Sequence, residues 1–354
     1  MTDLLDRYDV LLADLDGTLY RGRAAVPGAA EAVRGAAERG VRTAYVTNNA
    51  SRRPSDVAAH LAELGFPAAP DDVVASSQAA AAMLAEQLPS GARVLVVGTD
   101  ALAAEVTAVG LTVTDRADDA VAVVQGHSQD TGWRQLADAT VAVRAGALWV
   151  ACNLDPTVPT ERGMLPGNGA MVGVVRLATR REPQVAGKPA PALLNEAARR
   201  TGADKPLMIG DRLDTDVEGG RAAGMATMLV LTGVSDAPEL LAAPPALRPD
   251  YVAADLGALT SVPEDLEPGP RPGWETAVPA PGELQLAGSG PDPVDALRAL
   301  CAAHWAAGGG PARVTAVGEA AADALRVLGL GAEAPGSANV AGASPSKHIA
   351  GAQS

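Results

Sequence analysis

Aromatic residues are scarce in this chain. They make up 3% of 354 residues, with one Phe beside four Trp and four Tyr. An apolar interior must therefore be built from Ala, Val and Leu, and there is little material for stacking on nucleobases. Positive charge is also short: 28 Lys and Arg face 42 Asp and Glu, a formal net charge of -14. That sign disfavours nonspecific nucleic-acid binding. An anionic ligand would need a cationic group or a metal inside an acidic protein. The two cysteines, Cys152 and Cys301, lack metal-ligand spacing and read as free thiols in a reducing compartment. No apolar run reaches bilayer length. The opening MTDLLDRYDVLL has acids where a signal peptide has basic residues. These absences predict a cytoplasmic protein with no nucleic-acid and no membrane partner. The length supports a sizeable core and two or three domains.

What is present is organised around residues 8–20, YDVLLADLDGTLY. Val10–Ala13 is an apolar run that reads as a buried strand. It leads into Asp14 and Asp16, which the period of two in an extended segment sends to one face. Gly17 allows a sharp turn, and Thr18 can fix it through its hydroxyl. Two carboxylates at the end of a central strand make an acidic concavity that a hard cation such as Mg2+ neutralises. A solvated turn after a strand is the plainer reading. Residues 28–39 read as an Ala-rich helix stopped by Gly40. Residues 41–46 read as a second strand, ending in Thr47, Asn48 and Asn49. In a parallel sheet both polar strand ends lie on one edge. That edge sets the Thr47 hydroxyl and nearby amides beside Asp14 as donors to an anionic oxygen.

Two later stretches point to the same edge. Gly187-Lys188-Pro189 precedes a helix over 192–200, and its ammonium would join the carboxylates. Pro206–Gly210 reads as a buried strand ending in Asp211, Asp214 and Asp216. Three acids in six residues repel one another unless a cation sits among them. Spacing does not rank Asp214 against Asp216, and Asp214 can equally cap the helix that follows.

Residues 78–185, between these halves, carry their own alternation of helices and strands, enough for a small α/β domain. Residues 153–171 are rich in Pro, Gly and Asn without a period, and read as an ordered loop. Residues 263–292 read as a linker with one strand at 283–287. The extension 293–354 reads as a helix over 293–307, a strand at Arg313–Val317, a helix over 319–328 and a mobile tail over 334–354. A docking subdomain, a degenerate domain and a dimer element are all open for it.

DLDGTL at 14–19, TNNAS at 47–51, GKP at 187–189 and GDRLDTDVEGGRAAGM at 210–225 follow one another in a fixed order. In that order they resemble the four motifs of the haloacid-dehalogenase superfamily, in its phosphatase form. Residues 153–171 are similar to the specificity loop of that superfamily's class IIA cap, with matches at Asn153, Asp155, Pro159, Gly163, Pro166, Gly167 and Gly169. Where relatives often carry Gly-x-Asp after a cap strand, this chain reads Gly126-His127-Ser128. Actinobacterial glycerol-phosphate phosphatases share a C-terminal tail of this kind.

The resemblance implies an α/β fold: a Rossmann-like parallel-sheet core (1–77 plus 186–262), an inserted α/β cap (78–185) and a small C-terminal α/β extension. It implies a Mg2+-dependent phosphomonoester hydrolase acting through an aspartyl-phosphate. Asp14 would be the nucleophile and Asp16 the general acid and base. Thr47, Asn48 and Lys188 would hold the phosphate. Asp14, Asp211 and the backbone carbonyl of Asp16 would hold the metal, with Asp216 behind them. His127, Asn153 and Asp155 would face the substrate. The expected substrate is a small phosphorylated metabolite, glycerol 3-phosphate ahead of phosphoglycolate and pyridoxal phosphate. A second copy of the chain is left open as a partner. Dehalogenation is disfavoured because a halide needs no proton from Asp16. A vestigial protein-binding scaffold is disfavoured because Asp14, Asp16, Lys188 and Asp211 are all retained.

Overall fold

A computed structural model describes residues 2–160 and 162–331. Six strands form a first, all-parallel sheet. Their order is Tyr251–Ala253, Ala226–Val230, Pro206–Gly210, Val10–Ala13, Arg42–Thr47 and Val73–Ala75. Every residue of Val10–Ala13 is buried. Leu11 and Ala13 enter one apolar cluster, Val10 and Leu12 another. Helices on both faces of the sheet demand that two-sided burial, which is why the run is apolar without alternation. The helix Ala29–Glu38 supplies Ala29, Val33 and Ala36 to the first cluster. Ala192–Thr201 supplies Leu193, Leu194 and Ala197 to the second. Because the strands are parallel, their carboxyl ends share one edge. That edge carries Asp14, Thr47, Asp211 and Thr232.

A second parallel sheet runs in the order Gln184–Val185, Leu148–Ala151, Ala122–Gln125, Arg93–Val97, Thr112–Thr114. The helices Trp133–Arg144 and Asn168–Thr179 cover one face. The other face packs on Asp100–Ala108 and Ser76–Gln87. This is the expected α/β architecture, a parallel-sheet core with an inserted cap. The boundary expected between 77 and 78 falls inside the helix Ser76–Gln87. Its Ala80 and Leu84 share a cluster with Leu12 and Val46 of the first sheet and with Val94 and Val124 of the second. One helix thus welds the two bodies.

Two further expectations are corrected. Residues 153–171 are not loop throughout: Thr157–Thr160 pairs antiparallel with Gly163–Pro166, and a helix begins at Asn168. Four-residue strands containing proline offer no alternation to read. Residues 263–292 are not a linker. Trp274–Ala280 pairs antiparallel with Glu283–Gly288, which pairs parallel with Arg313–Val317. The Pro and Gly content there marks the ends of a hairpin, including a turn at Gly282 with φ of 77°, rather than unstructured chain. The helices Pro293–Ala306 and Glu319–Val327 pack on this small sheet. The mobile tail expected over 334–354 lies outside the described residues. Among the described residues no helix is long and apolar enough to cross a membrane.

Leu84 is fully buried in the shared cluster. Leu84→Ala is expected to lower the unfolding free energy by about 2–5 kcal/mol. Urea denaturation followed by circular dichroism checks this; a loss confined to the ±0.5 kcal/mol typical of surface changes would contradict the weld.

Candidate active site

The shared sheet edge gathers a compact charged cluster. The Lys188 ammonium donates to Asp14 Oδ1 at 2.5 Å and to Asp216 Oδ1 at 2.7 Å. Lys188 is 3% exposed, Asp216 1% and Asp211 0%. Carboxylate oxygens of Asp14, Asp211 and Asp216 lie within 4.8 Å of one another. Burial raises the Asp14 carboxyl above its ordinary value, against the pull of Lys188. Burial pushes Asp211 up to about 6, helped by the charge of Asp216. Burial also pushes Asp216 up to about 6, with Lys188 pulling down and Asp14 pushing up. Burial alone would lower the Lys188 ammonium; Asp14 and Asp216 outweigh it, and the group stays protonated. Three carboxylates against one ammonium leave a buried excess of negative charge. All-oxygen donors with that charge fit a hard divalent cation.

Each charged group is held by local backbone. The Asn48 side chain clamps the Lys188 peptide: its Oδ1 accepts from Lys188 N–H at 2.8 Å, and its Nδ2 donates to Lys188 O at 3.0 Å. Residues Leu213–Val217 wind as one π-helical turn, which folds Asp216 back toward its own strand. A Cβ on Gly210 would stand 2.2 Å from the Asp216 carboxyl, so only glycine admits the approach. The Arg212 N–H then donates to Asp216 Oδ2 at 3.1 Å. Asp211 receives the Val234 N–H at 2.7 Å and the Thr18 hydroxyl at 3.4 Å.

The structure separates the two acids that spacing could not rank. Asp216 is buried on Lys188. Asp214 is exposed and paired with Arg212 at 2.8 Å and 2.9 Å, and it caps no helix. Asp16 is exposed, and its backbone bridges to Tyr20. The nearly buried Thr47 accepts the Asn49 N–H on Oγ1 at 3.1 Å, which leaves its own hydroxyl hydrogen to give. The Asn48 amide is spent on Lys188, so its side chain positions the lysine. Asn153, expected to face the substrate, is 4% exposed and does something else. Its Nδ2 donates to Asn48 O at 2.7 Å and its Oδ1 accepts from Asp155 N–H at 3.2 Å, tying the cap loop to the core. The Asp155 carboxylate stands 3.5 Å from Asn48 Nδ2, raised by burial and opposed by the Arg212 charge. His127 lies two residues past the cap strand Ala122–Gln125 with a buried, unpartnered Nδ1, and no described hydrogen bond ties it to the acidic cluster.

Sequence reasoning missed the segment 232–235. Thr232 Oγ1 donates to Gly17 O at 2.6 Å, and Ser235 Oγ accepts from Leu213 N–H at 3.0 Å. The signal was available: Thr232 follows a core strand, so the rule that placed Thr47 beside Asp14 places it there too.

Comparison with known proteins agrees with this geometry. Residues 11–112 match the family model of haloacid dehalogenase-like hydrolases, and residues 185–259 match a second, HAD-hydrolase-like model. Residues 271–330 match a GCN5-related N-acetyltransferase like domain. The chain is 49% identical over 316 residues to a D-glycerol 3-phosphate phosphatase of Mycobacterium tuberculosis, covering 87% of this chain and 88% of that one. An acid sugar phosphatase of Staphylococcus saprophyticus is 37% identical over 255 residues, covering 71% and 96%. A crystal structure of the glycerol phosphate phosphatase of M. tuberculosis with magnesium superposes with a TM-score of 0.87 at 49% identity, covering 93% of this chain and 99% of that one. A 4-nitrophenylphosphatase from Thermotoga maritima gives 0.68 at 30% identity, covering 74% and 99%. With four motifs gathered at one sheet edge and relatives matched over most of their length, the chain belongs to the haloacid-dehalogenase-like hydrolases.

Proposed function

We propose that the chain is a Mg2+-dependent phosphomonoester hydrolase whose substrate is glycerol 3-phosphate. The observation that carries this reading is the buried ammonium of Lys188 between Asp14 and Asp216, with Asp211 beside them. An Asp14 oxygen attacks phosphorus in line and the ester P–O bond breaks. Asp16 gives its proton to the leaving alkoxide. Water then attacks the phosphorus of the aspartyl-phosphate, Asp16 takes its proton, and inorganic phosphate leaves as Asp14 is restored. The Lys188 ammonium, the Thr47 hydroxyl and the Asn48 backbone N–H hold the equatorial oxygens. Asp14, Asp211 and the backbone carbonyl of Asp16 would hold Mg2+, whose charge offsets the repulsion between phosphate and carboxylates. Asp216 has one oxygen on Lys188 and the other on the Arg212 N–H. That occupancy suits it to aim the lysine rather than to bind metal.

We divide the labour between a core of 1–77 plus 186–262 and a cap of 78–185. The cap encloses a small leaving group and excludes bulky phosphoproteins. The Asp155 carboxylate of the cap, 3.5 Å from Asn48 Nδ2, would accept from substrate hydroxyls. The relative at 49% identity supports the three-carbon substrate. A reducing, cytoplasmic setting suits Cys152 and Cys301, both free and buried. Phosphate release compared by kcat/KM across glycerol 3-phosphate, phosphoglycolate and pyridoxal phosphate tests the choice; a higher value for either alternative replaces it.

Metal dependence should follow pH in a defined direction. The folded Asp211 and Asp216 carboxyls, near 6, take up protons before the unfolded chain does at about 4. Without metal, these two groups should therefore make the fold more stable as pH falls from about 6 to about 4. Mg2+ affinity should weaken over the same window, since a protonated carboxyl must first ionise. Calorimetric titration at pH 7.5 and 5.5 measures this. Equal affinity at both values contradicts Asp211 as a ligand, and full turnover in metal-free protein contradicts the metal altogether.

Replacing each aspartate separates their roles. Asp14→Asn should abolish the covalent intermediate. Asp16→Asn should depend on the leaving group, costing roughly 10²–10⁴-fold for a glycerol alkoxide. For 4-nitrophenolate the first step should suffer far less. Rapid quench should then show a burst of 4-nitrophenol matched to enzyme, followed by slow turnover. A burst slowed equally for both esters removes Asp16 as general acid, and a burst surviving in Asp14→Asn removes Asp14 as nucleophile.

A further inference from the structure

We propose that the C-terminal extension is a positioning device for Asp211, acting through segment 232–241. The inference rests on the reading of Asp211 as a cation ligand. The path begins at the carboxylate. Asp211 Oδ2 accepts the Val234 N–H at 2.7 Å, and Asp211 O accepts the Ser235 N–H at 3.0 Å. A Cβ on Gly233 would lie 1.9 Å from Asp211 Oδ2, so the loop's backbone lies directly against the carboxylate. Thr232 also fixes Gly17 O, in the turn that follows Asp16. A shift of this loop therefore moves Asp211 relative to Asp14.

The loop has little stiffness of its own. It leads into the helix Ala237–Leu241, only five residues long. A helix that short is not stable alone and takes its position from what it packs on. It shares one apolar cluster with Leu213, Val217 and Leu229 of the core. On the outer side it meets the helix Pro293–Ala306, and Leu240 and Leu241 share one cluster with Leu297, Leu300 and Cys301. The Trp305 Nε1–H donates to Leu241 O at 3.1 Å, at the end of the short helix. Arg248 lies over the Trp305 ring at 4.9 Å and donates to Ala243 O at 3.1 Å.

A second anchor fixes the extension to the sheet. Arg298 is 5% exposed and donates to Val252 O through Nε at 2.8 Å and Nη2 at 2.6 Å. Val252 is the middle residue of the edge strand Tyr251–Ala253. Asp295 and Asp292 neutralise the guanidinium at 2.7 Å and 3.5 Å. A buried, paired arginine spent on a core carbonyl sets one register between extension and core. The two anchors hold the edge strand and the short helix, with loop 232–235 leading into that helix.

The test measures Mg2+ binding by calorimetry on the full chain, alongside melting temperature and the separate kcat and KM for glycerol 3-phosphate. Trp305→Phe keeps a ring but removes the donor to Leu241 O; Leu297→Ala loosens the contact with the short helix. Leu325→Ala is the control. It empties an equally buried site in the same extension, on a helix packed against Glu283–Gly288 and Arg313–Val317. Trp305→Phe and Leu297→Ala should weaken Mg2+ binding about tenfold, as loss of outer support does at metal sites. They should lower kcat with KM little changed. Leu325→Ala should lower the melting temperature but leave the Mg2+ dissociation constant alone. Unchanged Mg2+ binding in Trp305→Phe and Leu297→Ala overturns the proposal, as does an equal loss in Leu325→Ala. Absence of Mg2+ binding in the unaltered chain has a different signature and removes the reading of Asp211 together with the inference.

Discussion

One buried ammonium between two carboxylates decides what the rest of this structure must do. Lys188 cannot be removed without leaving Asp14 and Asp216 uncompensated in a dry site, at a cost of several kcal/mol. Nor can the lysine balance the site alone, because Asp211 adds a third carboxylate. The arrangement carries a standing deficit of positive charge, and burial, with the neighbouring carboxylates adding to it, raises all three carboxyls. A structural ion pair would be built neutral. A site short of one divalent cation is built for chemistry on an anion, where that cation and the ammonium act together.

The fold supplies the four pieces from places far apart in the chain. Asp14, Thr47 and Asp211 become neighbours because parallel strands put their carboxyl ends on one edge, and Lys188 joins them from the turn that precedes the helix Ala192–Thr201. This much was legible in the sequence: three apolar runs, each ending in polar residues, and Gly187-Lys188-Pro189 ahead of a helix, with the pattern of residue types expected for one reaction. The strands at Val10–Ala13 and Pro206–Gly210 begin and end where the sequence indicates. Buried parallel strands are easy to read since both faces must be apolar.

Side-chain assignment was harder to read, for a physical reason. Asn48 and Asn153 carry the same amide, and sequence tells nothing of which backbone atoms an amide will meet. In the fold both serve as struts, Asn48 on Lys188 and Asn153 on Asn48. The hairpin strand Trp274–Ala280 was invisible for another reason. Pro and Gly crowd its flanks, Pro279 interrupts the run itself, and it pairs only with 283–288 just beyond the turn, so no apolar run announces it. The hold of Val234 and Ser235 on Asp211 was hidden because it runs through main-chain N–H groups, which every residue but proline has, whereas the Thr232 hydroxyl at its strand end was legible.

Both edges of the core sheet are put to use. At one edge, Val73–Ala75 runs straight into the helix Ser76–Gln87, which carries the cap. At the other, Tyr251–Ala253 would present unpaired carbonyls to solvent, a liability in any open sheet. There the Arg298 guanidinium takes Val252 O, and the Leu266 carbonyl accepts the Val252 N–H at 2.9 Å. Residues 271–330 match a GCN5-related N-acetyltransferase like domain, and the start of the first helix there is capped from within. The Asp292 carboxylate accepts the Val294 N–H at 2.8 Å, and Asp295 adds a second negative charge in the first turn. What the module keeps is a rigid apolar face and one buried arginine, and both are directed at the core. Covering the sheet edge and steadying the loop behind Asp211 therefore fall to two anchors on one helix, Arg298 on Val252 O and Trp305 on Leu241 O.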